Sequence, residues 1–345
     1  MANVKLYATI YSTKFNDLEE PNTTTNHGNQ TMYLGWDYKD PNYDEKHPIM
    51  EKDLSFLGAI TVTSVNLIRN ASSGSGSGTF TCSMSRVRRA DWDYATSTWT
   101  IYKTANNWSA GGGTDTTNDI DTTNQFTFTE EIVTGNKTFN SDANIVALVQ
   151  DAVTNRSGIL RVLFKGDSPG GAVTKRIDWN TGVYFDITYT GGNTVSAALT
   201  GTATSSITEA DVVAGGKTIV LTLTNETWVA EPTFGGARSS ISAGITSAQG
   251  EANGWNARVR PNIPDANVVR TSDTVVTITL QAQANYDITA QEVITATIPS
   301  YATTHGALLV ASPTFTVDTG GAAPVTTKPN WPILTGKKFW SWRYS

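Results

Sequence analysis

The chain has 345 residues, with 25 Lys and Arg against 31 Asp and Glu, and only 16% of its residues are charged. That length accommodates two β domains of ordinary size, and the mild acidity argues against a nucleic-acid surface, which normally carries a strong positive field. No run reaches the roughly eighteen apolar residues of a membrane-spanning helix, and a single cysteine, Cys82, allows no disulfide within one chain, so folding in a reducing cytoplasm is expected.

The first stretch, MANVKLYATIYSTKF, alternates apolar and polar residues. Val4, Leu6, Ala8 and Ile10 share one face, which predicts a half-buried strand. The stretch lacks an apolar core followed by a small-residue cleavage site, so export by a cleavable signal is not expected. The segment YLGWDYKDPNY reads as a loop. Its Trp36, with Tyr38 and Tyr43 nearby, is a candidate exposed aromatic contact for a glycan; the alternative is a Trp that pins its own loop.

Strand-like runs then recur: GAITVTSVNLI, GTFTCSMSRV, TWTIYK, NQFTFTEEIV, GILRVLFKG and VYFDITYT. Gly, Asn, Ser and Asp clusters separate them, a pattern that predicts a sandwich or jelly roll. ASSGSGSG, from Ala71 to Gly78, reads as a flexible loop between two strands. Trp92, Trp99 and Trp108 lie close together and are followed by three glycines. Same-face residues on a strand differ by an even number, and these differ by odd ones, so one flat sugar platform on a straight strand is not expected. Trp99, Ile101 and Trp108 are instead expected to face the core.

The loop GGGTDTTNDID brings Asp115, Asp119 and Asp121 together with Asn118. Clustered oxygens suit calcium, but the spacing matches no EF-hand, and an Asp- and Asn-rich solvated turn is the preferred reading. No cofactor is expected, calcium being the one candidate. SDANIVALVQDAV predicts a helix capped by Ser141 or Asp142, with Ile145, Val146, Leu148, Val149 and Val153 along one side.

From about Val195 to Asp318 a second series of alternating runs appears, including KTIVLTLT, TVVTITLQA and EVITATIPS. TEAD, from Thr208 to Asp211, reads as a capping box. Ile241, Ile245 and Ala248 fall at helical spacing within a short segment. The last stretch carries Trp331, Phe339, Trp340, Trp342, Arg343 and Tyr344 among prolines and lysines, with no acidic side chain from Lys328 on. It reads as an extended tail whose rings anchor the protein to a neighbour.

The phrases YATIYST, MEKDLSFLGAITVTSVNLI, DWDYATSTWTIY, NNWSAGGGTD, NIVALVQDAVTNRSGILRVLFKG and YFDITYT, in that order, resemble the DNRLRE family of jelly-roll domains. The chain departs from it at Glu51 and Lys52, where the family carries an Arg before Asp-Leu-Ser, and at Ala152, where its helix carries a Trp. The resemblance implies a fold similar to carbohydrate-binding modules and a binding or structural role. The later series, from LTGTATSSITEADVVAGGKTIVLTLTNETWVA through SAQGEANGWNA to VASPTFTV, resembles immunoglobulin-like modules of bacteriophage structural proteins. It implies a virion component.

The expectation is therefore an all-β chain: a jelly roll over residues 1–190, an immunoglobulin-like sandwich over 195–318 and a docking tail over 319–345. No HExxH spacing, nucleophile elbow or phosphate loop is present, so no reaction is expected. The expected role is structural, in a capsid decoration or in neck, tail or fibre. The expected partners are other virion proteins and further copies of the chain, with surface glycans as a further possibility and neither nucleic acid nor membrane. Assembly is expected in the host cytoplasm. The alternative is an extracellular carbohydrate-binding or adhesion module.

Overall fold

A computed structural model describes residues 2–7, 13–20, 25, 32–39, 42–167, 173–179, 183–201, 206–308 and 311–319. The chain is all-β. The strands of its N-terminal region are β1 (Ala2–Tyr7), β2 (Thr13–Glu19), β3 (Met32–Lys39), β4 (Asn42–Asp53), β5 (Ile60–Ser75), β6 (Thr79–Val87), β7 (Ile101–Lys103), β8 (Asn106–Asn107), β9 (Ile120–Glu131), β10 (Gly135–Phe139), β11 (Ile159–Gly166), β12 (Lys175–Trp179) and β13 (Tyr184–Gly191). Helix α1 (Ala143–Asn155) precedes β11. The C-terminal region holds β14 (Ser196–Gly201), β15 (Ser206–Thr208), β16 (Thr218–Thr224), β17 (Ile245–Ser247), β18 (Val268–Arg270), β19 (Val275–Thr279), β20 (Glu292–Ala296), β21 (Ala307–Leu308) and β22 (Thr314–Asp318). Its helices are α2 (Glu209–Ala214), α3 (Arg238–Ala243) and α4 (Trp255–Arg258).

β5 organises the N-terminal region. Its early residues pair with β13 and its last ones, Ala71 to Ser75, pair with β12. A bulge opposite Thr188 and Tyr189 changes which residues face inward: Ile60 and Val62 before it, Val65 and Leu67 after it. The sheet order β21-β1-β13-β5-β12-β3-β4-β11-β6-β9 closes around one core. Inward residues of β1 (Val4, Leu6), β11 (Val162, Phe164) and β13 (Phe185, Ile187) meet there, and α1 adds Ile145, Leu148, Val149 and Ala152. Asp142 caps that helix, accepting from the Ile145 N–H at 2.9 Å.

The glycine- and serine-rich run at 71–78 is thus largely strand, where the composition predicts a flexible loop. The reason is close approach. A Cβ on Gly74 would sit 2.7 Å from Ile132 and 3.1 Å from the Arg176 carbonyl. The small residues let β5 pass tightly beneath its neighbours. YLGWDYKDPNY likewise differs from the loop reading: Trp36 and Tyr38 belong to β3, which pairs with β4 in a hairpin.

In the C-terminal region a pair of four-stranded sheets, β14-β16-β19-β18 and β15-β22-β20-β17, encloses a separate core. Leu221 and Ile278 meet Ile294 and Val317 across it. The Thr208 and Asp211 capping box starts α2. The expected helical row at Ile241, Ile245 and Ala248 is broken, because α3 ends before Gly244 and Ile245 begins β17. Trp255 fills the core and donates from its ring to the Ile245 carbonyl at 3.0 Å. The buried Glu292 carboxylate accepts from the Trp255 N–H at 2.9 Å and the Tyr286 hydroxyl at 2.7 Å. Burial first, and that carboxylate second, push the Tyr286 hydroxyl pKa far up.

Candidate functional site

The tryptophan-rich segment is a cap. Successive residues of a strand point to opposite faces. On β11, Val162 and Phe164 enter the main core while Leu163 points the other way, and on β4 Met50 enters it while Ile49 points away. Residues 88–119 fold over this outer face. Trp92, Trp99, Tyr102 and Trp108 form a satellite cluster there with Ile49 and Leu163. The rings are buried, as the sequence indicated, but against the outside of the sheet and not in the core between its layers. The chain between them is built of turns and a short β7–β8 hairpin, so strand parity does not govern their placement.

The three glycines explain themselves here. A Cβ on Gly111 would lie 2.5 Å from the Trp99 ring nitrogen, and one on Gly112 would lie 2.6 Å from the ring and 2.7 Å from His47 Nδ1. Gly112 also has φ of 66°, a left-handed conformation that favours glycine. The backbone therefore lies directly on Trp99, and the buried His47 ring packs on the same indole at 5.1 Å. The Trp108 ring N–H donates to the Thr98 carbonyl at 3.0 Å.

Asp115, Asp119 and Asp121 do not converge on one point. Asp119 is buried and accepts from Arg89 Nη2 at 2.8 Å and from the Ser109 and Ala110 N–H groups at 3.1 and 3.0 Å. Asp115 accepts from the Thr117 and Asn118 N–H groups, forming a turn. Asp121 pairs with Arg86, which holds its carboxyl well below the usual carboxylate range. Among the described residues no group of three His, Cys, Asp or Glu is placed to hold a metal ion.

Trp36 is half-buried and its ring N–H donates to the Gly166 carbonyl at 3.0 Å, so the indole is fastened to β11. Tyr38 lies two residues along the same face of β3 and is also half-buried. The Tyr43 backbone pairs with that of Tyr38; its side chain lies outside the described residues. The tail candidates Trp331, Phe339, Trp340, Trp342, Arg343 and Tyr344 also lie outside them.

A feature missed in the sequence is the seam between the two regions. β21, from the C-terminal region, pairs with β1, and its Ala307 is buried in the N-terminal core. Glu226, 3% exposed, gathers the donors that shape this crossing. Its carboxylate accepts from His305 Nδ1 at 2.8 Å, from the Thr227 N–H at 2.8 Å and from the His305 and Ala307 N–H groups at 3.3 and 3.4 Å. Phe56 stacks on the His305 ring at 4.2 Å. Lys52 is fully buried nearby; desolvation lowers its pKa to about 7, with Glu226 and Asp53 pulling the other way.

The connection is equally fixed. Asn193 donates its N–H to the Leu57 carbonyl at 2.7 Å and its amide to the Phe56 carbonyl at 2.9 Å. Gly192 has φ of 64°, and a Cβ there would lie 2.3 Å from Ile60. The signal was present in the sequence: Lys52 has the strand parity of Met50 and Leu54, both core residues, and a lysine on a buried face needs a reason.

No helix among the described residues is long and apolar enough to cross a membrane. Comparison with protein-family models and with curated proteins finds no match.

Proposed function

We propose that the chain is a non-enzymatic structural component of a bacteriophage particle that acts by protein–protein association. The observation that carries this reading is the seam. Two β-cored bodies are joined by a shared strand pairing, by Phe56 of the first stacking on His305 of the second, and by a connection hydrogen-bonded to the Ser55–Leu57 turn. Such a join resists bending, which suits a component that braces or projects from an assembly. The order of sequence phrases resembling DNRLRE and phage immunoglobulin-like modules supports the same reading. The tail from about Pro324, with its five aromatic rings, is assigned the anchoring role, with other virion proteins and further copies of the chain as partners.

Labelling the chain and imaging purified particles from infected cells tests this. The label is expected at a regular position on the particle. Its absence from purified particles overturns the proposal. A chain ending at Asp318 is expected to fold and to fail to incorporate; normal incorporation would remove the anchoring role from the tail while leaving the virion reading standing.

A further inference from the structure

Between the carboxyl end of α1 and strands β6 and β11 lies a cleft with two connected lobes. The larger, about 400 Å³, is lined by Arg86, Arg88, Arg156 and Arg161 and by no Asp or Glu. The smaller, about 220 Å³, shares Arg86 and Arg156 with it and carries the carboxylates Asp121 and Asp151. Asp121 pairs with Arg86 and Arg88, Asp151 with Arg86 and Arg156, and Glu51 with Arg161, so four guanidiniums face three carboxylates and one positive charge is in excess in a chain of net charge −6.

The four guanidiniums are not equally engaged. Arg161 is held by Glu51 and by the Arg89 carbonyl, and Arg86 by Asp121. Arg156 gives Nε to Asp151 at 3.2 Å; Arg88 gives Nε to the Ile120 carbonyl at 2.9 Å and has Nη2 3.4 Å from Asp121. Both terminal nitrogens of Arg156 and Nη1 of Arg88 have no protein acceptor among the described residues. Their side chains are 45% and 38% exposed, so they can close on a ligand without leaving the fold. Behind them, Leu148 and Ala152 of α1 give the recess an apolar wall. The carboxyl end of α1 carries partial negative charge, which favours Arg156 at its position and opposes an anion beside it, so the attraction must come from the guanidiniums.

We propose that this recess binds a small organic oxyanion, a phosphate monoester or a carboxylate, with its charged head between Arg88 and Arg156 and a short apolar body against Leu148 and Ala152. The volume falls within the range of small-molecule pockets, and planar guanidiniums suit two-oxygen heads. The assignment goes beyond the association role and does not depend on it.

Calorimetric titration of the full chain at low salt tests it, using phenyl phosphate, benzoate and inorganic phosphate. Saturable one-to-one binding of phenyl phosphate or benzoate is expected, with the stronger of the two identifying the head group. Inorganic phosphate is expected to bind more weakly for want of the apolar body. Arg156→Ala and Arg88→Ala are each expected to weaken binding about tenfold or more, and Arg156→Lys to recover some of the loss. Saturable heat from neither organic anion overturns the proposal. So does binding that both Ala variants leave unchanged, or inorganic phosphate binding as tightly as phenyl phosphate.

Discussion

Asp119 holds Arg89 across the mouth of the aromatic loop: the buried carboxylate accepts from Arg89 Nε at 3.0 Å and from Nη2 at 2.8 Å. The same carboxylate ties down the amides of Ser109 and Ala110, just before the three glycines. One side chain thus joins the end of β6 to the turn that covers Trp99. Asp119→Ala leaves a partly exposed guanidinium and two amides without their acceptor, at a cost of about 2–3 kcal/mol. The effect is expected to be local first. Hydrogen exchange should accelerate in residues 88–119 while β5, β11 and β13 keep their protection. Equal acceleration across the N-terminal region would show that the loop is not a separate unit.

Trp108 tests the structural reading of the aromatic cluster. Its ring is buried, packs against Tyr102 at 5.5 Å and supports the Gly113 turn. Trp108→Ala is expected to destabilise the N-terminal region by about 3–5 kcal/mol in denaturant melts. An unchanged melt accompanied by loss of glycan binding would reassign the ring to recognition.

Much of this was legible beforehand because alternation and capping are local. The strand runs, a helix cap at Ser141 or Asp142, which the structure resolves as Asp142, and the Thr208–Asp211 capping box follow from residues a few positions apart. Burial of Trp99 and Trp108 was also legible, from their apolar bulk. What was not legible depended on distant partners. The outer-face cap needs Ile49 and Leu163 beneath it, and Gly74 becomes a strand residue only because Ile132 and Arg176 crowd it. The carboxylates at 115, 119 and 121 look like a cluster by spacing, yet Arg86 and Arg89 draw two of them to separate anchors. Glu226 fixes His305 across 79 positions within the C-terminal region, Phe56 of the N-terminal region stacks on that ring, and no local pattern announces either contact.

Gly192 probes the rigidity of the connection. Its left-handed backbone and the 2.3 Å approach of a Cβ to Ile60 leave no room for a side chain. Gly192→Ala is expected to lower stability by about 1–3 kcal/mol and to detach Asn193 from Leu57. Limited proteolysis should then cut near residue 192 faster than in the parent chain. An unaltered cleavage rate with lower stability would place the strain in the fold and not in the connection.

Lys52 supplies a pH prediction. In the unfolded chain its ammonium keeps the ordinary value of 10.5, and in the folded chain burial lowers it to about 7. Between those values the unfolded chain binds a proton that the folded chain has released. Stability from this group therefore rises with pH across that window, and the full cost of burying the charge is felt below about pH 7. The slope is at most ~1.4 kcal/mol per pH unit. Glu226 and Asp53 favour the charged form but are outweighed by desolvation. Lys52→Met removes the titration while keeping an unbranched chain of similar length at the edge of the core, beside Leu54. Urea melts of both proteins from pH 7 to 9.5 should show the parent gaining about 2–3 kcal/mol relative to the variant. Because all other titrating groups are shared, the difference between the two curves isolates Lys52. Parallel curves would mean that the lysine keeps its proton in the fold, held by the carboxylates of the seam more strongly than burial opposes it.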